Sequence, residues 1–419
     1  MKKSAFILLS VLLVTSLQVS AQDIVQFRKI VKELSSAKYQ GRGYARNGII
    51  KAGEYIGRQY GKAGADEVIF QPFTIDINTF AGKMEMSVDG KKLTPGDDFT
   101  LREYSPGAHG EHTLYFIDTL NYNTGKIFAD IAKPENKGCF VVCDFWFTYK
   151  HGKDFKKLQS NECQNGGVIF TWEEPLKFYK AYGEKVYDKP IIWTLADVVE
   201  GASSIKVDID NKFLPQYESC NVIARVDGKR HDSCYVFIAH YDHLGNLGKD
   251  LYFPGANDNA SGTAGLITFA QHFAKSRPEF DVWFISVSGE EANLRGSTYF
   301  TEHPVFPLSR IKYMFDLDMI GDNNPVQYCE VSDAGMAAFP LFEQINAEHG
   351  YFEKLHRGDL AANSDHYPFA VLGVPVIFFE NEQGDAFPYY HTAHDDISTM
   401  RFETYEPLFK LIDEFIARQ

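Results

Sequence analysis

Between Tyr235 and Thr399 one pattern recurs: an apolar run of strand length closes on a carboxylate or a histidine. The runs are VFIAHYDHLG, GANDNASG, VWFISVSGEEANLRGS, YMFDLDMIGD, and PVIFF followed by YYHTAHDD. Short segments rich in Val, Ile, Phe and Tyr, bounded by Gly, Asn and Asp, are strands. CNVIARV, CYVFIAH, DVWFISVS, IKYMFDLDMIG and VPVIFFE all qualify. Between them the apolar spacing becomes helical, over Gly262 to Phe273, from Glu290 or Glu291, over Ala337 to His349 and over Phe402 to Arg418. Strand and helix in alternation from Asn221 onward predict an α/β fold, a doubly wound and mostly parallel sheet with helices on both faces. In such a sheet the carboxyl ends of the strands converge on one crevice.

The rest of the chain is arranged around this region. Lys2 and Lys3, an apolar run from Ala5 to Leu17, and Val19-Ser20-Ala21 have the form of a secretory leader, residues 1–21, with Gln22 as the first mature residue. Export to the periplasm or the medium is therefore expected. No later stretch approaches the ~20 apolar residues of a membrane span, so no membrane insertion is expected. Residues 22–66 carry helical spacing at Ile24, Phe27, Ile30, Val31 and Leu34, then a Gly-rich loop, YQGRGYARNG, then a second helix from Ile49 that Gly64 closes. EVIFQPFTI reads as a strand. From about Phe80 to Lys206 the texture is short strands separated by Gly, Pro, Asn and Asp (KMEMSV, HTLYFI, CFVVCDF, GVIFTW). This predicts a small β-rich inserted domain over 80–205 within one α/β domain made of 22–79 and 206–419. A formal charge of −14 argues against nucleic acid or an anionic membrane as partner. The six cysteines form no Cys-x-x-Cys pair; Cys139 or Cys143 with Cys163, and Cys220 with Cys234, are compatible with bridges and equally with buried thiols.

His240, Asp258, Glu291, Asp318 and His391 each follow or end an apolar run, and they are the candidate metal ligands. Imidazole nitrogen with carboxylate oxygen suits zinc at neutral pH. Two histidines and three carboxylates can hold two ions if one carboxylate bridges, leaving positions open for water, as catalytic zinc requires. Glu290, beside a ligand, is the candidate general base for such a water. Asp242, two residues beyond His240, is placed to hold the other ring nitrogen of His240. His243, His394, Asp395 and Asp396 are expected at the rim or behind the ligands, and His366 in a structural or substrate-facing position. Taken singly, each of these signals is bland: a lone histidine at a strand end is a surface residue, and a Glu-Glu pair at a helix start complements the helix dipole. Their recurrence at consecutive strand ends is what makes a site. There is neither a phosphate-cradling Gly loop nor a G-x-S-x-G elbow.

In order and spacing, AHYDHLG, PGANDNASGTAG, SGEEANLRGS, DLDMIG, SDHYPF, GVPVIFF and YYHTAHDD resemble the exported di-zinc aminopeptidases, whose relatives include aminopeptidase Y, glutamate carboxypeptidase II, glutaminyl cyclase and the transferrin receptor. LSSAKYQGRGYARNGIIKAGEYIGRQYGKAGAD resembles that family's N-terminal helical pair, and KGCFVVCDF, NECQNGGVIFTW and KPIIWTL more distantly resemble its protease-associated insertion. The resemblance implies two Zn2+ ions, with Asp258 bridging, His240 and Asp318 completing one site, and Glu291 and His391 the other. It implies Glu290 as proton acceptor and Tyr390 as a donor to the developing oxyanion. It implies a zinc exopeptidase acting on peptide substrates, an aminopeptidase before other classes. The alternatives it brings are a single-zinc glutaminyl cyclase and a non-catalytic receptor. NEQGDAFPYY, with Phe387, Tyr389 and Tyr390, is the candidate wall of the specificity pocket.

Overall fold

The structure, a computed structural model, describes residues 24–172, 176–178, 184–381 and 387–419. The expected leader over 1–21 and residues 382–386 of NEQGDAFPYY lie outside the described residues.

The main sheet has eight strands, in the order Glu67–Thr79, Lys212–Val226, Phe280–Val287, Arg230–His240, Ile311–Asp318, Val376–Asn381, Val326–Val331 and Lys354–Gly358. Its centre, from Phe280–Val287 to Val376–Asn381, is parallel. Antiparallel pairings flank that centre on both sides, so the sheet is mixed with a parallel middle. The central strands are apolar almost without interruption because both their faces are covered. The two-residue period of a strand divides each of them between two cores. Phe237, Phe284, Phe315 and Phe379 pack with helices 24–34, Gly48–Ala63, Gly262–Ser276, Phe339–His349 and Tyr405–Ala417. Val236, Ile238, Trp283, Ile285, Met314 and Val376 pack with Phe300 and Phe369 of the short helices Arg295–Glu302 and His366–Ala370.

A second eight-stranded sheet runs Lys91–Lys92, Met84–Val88, Ser204–Ile209, Ala108–Phe116, Phe140–Asp144, Gly167–Trp172, Ile191–Leu195 and Phe99–Leu101. It has an apolar cluster of its own around Val141, Val168 and Trp193. Its other cluster, around Phe140, Ile169 and Ile205, takes in Leu244, Leu247 and Phe253 from the loop after His240. The second sheet is thus seated directly on the loop that leaves the His240 strand.

Three local expectations need correction. The helix expected from Glu290 or Glu291 begins at Arg295. Asn293 and Leu294 take positive φ (66° and 57°), so the chain turns before it can coil. The Gly-rich loop is two tight 3₁₀ segments, Ala37–Arg42 and Ala45–Asn47. The strands Val326–Val331 and Lys354–Gly358 were not expected; the outer one is mostly exposed and lacks an apolar face to announce it. All six cysteines are free thiols. Among the described residues no helix is long and apolar enough to cross a membrane.

Candidate metal centre

His240 is the last residue of its strand and Asp318 the last of the neighbouring one. On the other side of the His240 strand, Phe280–Val287 runs out toward Glu290 and Glu291. Asp258 reaches the same rim from a tight turn, Ala256–Ser261, that precedes helix Gly262–Ser276; the Asp258–Asn259 peptide is cis. His391 comes from the loop beyond strand Val376–Asn381, in a left-handed conformation (φ 57°).

The five candidate ligands meet. Asp258 Oδ1 lies 3.3 Å from His240 Nε2, which lies 3.4 Å from Asp318 Oδ1. Asp258 Oδ2 lies 3.1 Å from His391 Nε2, which lies 3.4 Å from Glu291 Oε1. One carboxylate is therefore divided between two histidine–acid pairs. Four donors on ~2.1 Å bonds at tetrahedral angles stand about 3.4 Å apart, so these separations fit zinc. No hydrogen bond reaches Asp258 Oδ2 or Asp318 Oδ1, although both are buried. Buried carboxylate oxygens require partners, and each of these stands beside an imidazole nitrogen, Asp258 Oδ2 at His391 and Asp318 Oδ1 at His240.

The electrostatics agree. Burial pushes Glu291 up, but His391 and His243 outweigh it and hold the carboxyl well below its usual range. Burial pulls His391 down, but Glu291 and Asp258 lift it to about 10. Carboxylates that stay ionised and histidines that grip a proton mark a surplus of negative charge, and a dication displaces such protons. Glu290 differs from its neighbour. Burial pushes it well up, Glu291, Asp365 and Asp318 add to that, and His240 only partly offsets them.

The other expected residues fall as follows. Asp242 is fully buried, yet its carboxylate stands 3.8 Å from His240 Nδ1, beyond hydrogen-bond reach. The nearer partner of that nitrogen is the Asp242 carbonyl, at 3.2 Å. The carboxylate instead accepts from Tyr44 Oη (3.0 Å) and from the Glu290 amide (3.2 Å), so it positions the candidate base. Tyr390 lies stacked on the His391 ring, 3.9 Å between centroids, and Lys177 Nζ lies 5.4 Å from the Tyr390 ring centre. Burial first, then the surrounding carboxylates, push its phenol well above 10, so it keeps a proton to donate. His243 is inside the site, its Nδ1 2.9 Å from Glu291 Oε1. Asp395 is buried behind Asp258 and accepts from the amides of Asn257 and Asp258. His394 and Asp396 are surface residues, paired with Asp97 and the Ser398 amide. His366 is buried between Asp316 and Glu330, away from the ligands.

Several contributors carry no signal in the sequence. Ser364 Oγ donates to Asp318 Oδ2 at 2.8 Å. Asn259 ties the Asp258 turn to the Asp318 strand through Leu317 O (2.9 Å) and Met319 N (3.3 Å). The amide of Phe178, from the region of the second sheet, holds the carbonyl of His391 at 2.9 Å. A cavity of about 260 Å³ opens over the donors, lined by His240, Asp258, Glu290, Asp318, Tyr390 and His391, with Met319, Phe378, Glu380, Asn363 and Lys177 forming its outer wall.

Known proteins are similar to this chain in sequence and in fold. Residues 221–416 match peptidase family M28. Over 176 residues, 40% of this chain, the sequence is 30% identical to aminopeptidase YwaD of Bacillus subtilis, and the match spans 37% of that relative's length. In fold the chain is similar to BSAP, a zinc aminopeptidase from Bacillus subtilis, with TM-score 0.71 and 20% identity over 94% of this chain and 95% of that one. It is similar in the same way to a peptidase M28 precursor from Shewanella amazonensis, with TM-score 0.72 and 19% identity over 96% and 95%. At those identities the two structural likenesses speak for the fold alone, and they extend through the second sheet. The region that matches peptidase family M28, residues 221–416, is the one that carries all five candidate ligands.

Proposed function

We propose that the chain is a zinc-dependent exopeptidase, an aminopeptidase that releases N-terminal residues from peptides with two Zn2+ ions. One observation carries the proposal: the Asp258 carboxylate places one oxygen 3.3 Å from His240 Nε2 and the other 3.1 Å from His391 Nε2, with Asp318 and Glu291 each 3.4 Å from one of those nitrogens. His240, Asp318 and Asp258 would hold one ion; His391, Glu291 and Asp258 the other. Bound zinc supplies Lewis acidity and brings the pKa of water to ~7. Glu290 lines the cavity without belonging to either donor cluster. It takes the proton of the attacking water and returns it to the leaving amine. Burial favours its protonated form, which suits a group that must hold that proton between the two steps. The Tyr390 hydroxyl donates to the oxyanion that develops on the scissile carbonyl. His243 and Asp242 keep Glu291 and the Glu290 backbone in place.

The test is a panel of aminoacyl-fluorophore substrates beside a glutamine-cyclisation assay, with zinc counted by elemental analysis on the same sample. Two ions and aminoacyl hydrolysis are expected. One ion with cyclisation would replace the proposal by a cyclase, and no zinc and no turnover would replace it by a binding role. Export belongs to the same proposal: the mature chain is expected to begin at Gln22, which N-terminal sequencing of secreted protein checks.

A further inference from the structure

Arg42 is fully buried, and each of its five N–H donors has a carbonyl acceptor. Nε donates to Tyr241 O (2.9 Å), Nη1 to Leu34 O (3.2 Å) and Pro254 O (2.6 Å), and Nη2 to Gly255 O (2.7 Å) and Asp258 O (2.9 Å). These acceptors belong to the end of the first helix, the residue after ligand His240, the two residues before the Ala256–Ser261 turn, and Asp258 within it. Asp395 takes the N–H groups of the same turn: its carboxylate accepts from Asn257 (2.8 Å) and Asp258 (3.0 Å), and its carbonyl from Ala256 (3.0 Å). The turn is thus held between a cation on its carbonyls and an anion on its amides. The glycines around it are cut to this contact. A Cβ on Gly255 would lie 2.5 Å from Arg42 Nη2, and a Cβ on Gly41 would lie 2.5 Å from the carbonyl oxygen of Gly245. Burial draws the guanidinium down to about 10, with Asp258, Asp395 and Asp242 pulling it back up, so it is charged at neutral pH.

We propose that Arg42 is a positioning residue for metal uptake: its guanidinium holds the Asp258 turn in ligating shape before any cation arrives, so that binding needs no refolding of the loop. The inference rests on the zinc site proposed above. A lysine carries the same charge but a compact ammonium with three donors, so it cannot span five carbonyls on three segments.

The test uses the full chain. Zinc dissociation constants come from competition with a chromophoric chelator for the wild type, for Arg42→Lys, and for Leu411→Ala, a core truncation in the C-terminal helix that lowers stability elsewhere. Residues that orient ligands are worth ~10–100-fold in metal affinity. Arg42→Lys is expected to weaken zinc by that factor while Leu411→Ala leaves it unchanged. Equal affinity in Arg42→Lys and wild type, or an equal loss in both variants, would reduce Arg42 to a structural residue and overturn the proposal. Hydrogen exchange on chelator-treated wild type decides the matter even if Arg42→Lys fails to fold. The amides of Ala256, Asn257 and Asp258 should stay protected without metal, and their free exchange would overturn pre-organisation. A wild type that takes up no zinc would sink the two-ion proposal, while the exchange measurement would still report whether the clamp exists.

Discussion

His366 provides the most quantitative check on the charge network behind the site. Its ring is fully buried, stacked on Phe378 at 4.6 Å, with Nδ1 3.4 Å from Asp316 Oδ2 and Nε2 3.3 Å from Glu330 Oε2. Burial pulls the imidazole down, but Asp316 and Glu330 together outweigh it and lift the group from 6.5 to about 9. Burial pushes Glu330 up, yet His366, the Ala361 amide and Asn363 bring it below its usual range, so it stays an anion facing the ring. A folded-state pKa above the unfolded one means that the native state binds the proton more tightly. The resulting stability is complete below about 6.5 and disappears as pH rises through about 9. A shift of this size corresponds to about 3 kcal/mol. His366→Gln keeps hydrogen-bonding capacity but cannot take the charge. At about pH 6 the variant should be less stable by about 3 kcal/mol plus the lost stacking, and by about pH 10 the gap should have narrowed by about 3 kcal/mol. Urea unfolding of both proteins at matched zinc and ionic strength measures that gap; groups that do not touch His366 cancel, while Glu330 and Asp316 lose their cation in the variant, so the comparison is read between about pH 6 and pH 10, above the ordinary carboxylate range. Curves that stay parallel from acid to alkali would show that His366 is neutral between its two acids and would refute the reasoning.

Glu290→Gln should retain the full zinc complement and lose ~10²–10⁴-fold in turnover; near-normal turnover would remove Glu290 from the mechanism. Gly262→Ala places a methyl 2.0 Å from Leu317 O and 2.4 Å from Asn259 Oδ1, the contacts that tie the Asp258 turn to the Asp318 strand. Overpacking of this kind costs ~1–3 kcal/mol, so both the urea midpoint and zinc retention should fall, and a wild-type midpoint would contradict the packing described. Alkylation of the denatured, unreduced chain should label all six cysteines by mass, and any mass short by a pair would reveal a disulfide.

What the sequence reveals and what it hides follow from one physical division. Phe280–Val287 is legible because all eight of its residues are buried, and a strand covered on both faces must be apolar throughout. His240 and Asp318 are legible because a polar group that ends such a run has to be used or solvated. Lys354–Gly358 is not legible, since an edge strand needs no apolar face. Arg42 is hidden for a different reason. In YQGRGYARNG it looks like a loop cation, and four of its five acceptors lie 199 to 216 positions away on backbone carbonyls, which have no residue identity to read. Tyr44 on Asp242 and Ser364 on Asp318 are hidden because their partners lie 198 and 46 positions away, whereas Asp395, expected behind the ligands, is found there on the Asp258 amide. His240 and Asp318 come from strand ends, where side-chain pattern speaks. The geometry of the site comes from turns, where backbone hydrogen bonding decides and pattern is silent. A chain with His240, Asp258, Glu291, Asp318 and His391 intact but Arg42, Asn259 and Asp395 replaced would show the same motif order and have no means of bringing the Asp258 oxygens between the two histidines. It is the clamp around Asp258, more than the count of ligands, that separates a working centre from a chain that only carries its residues.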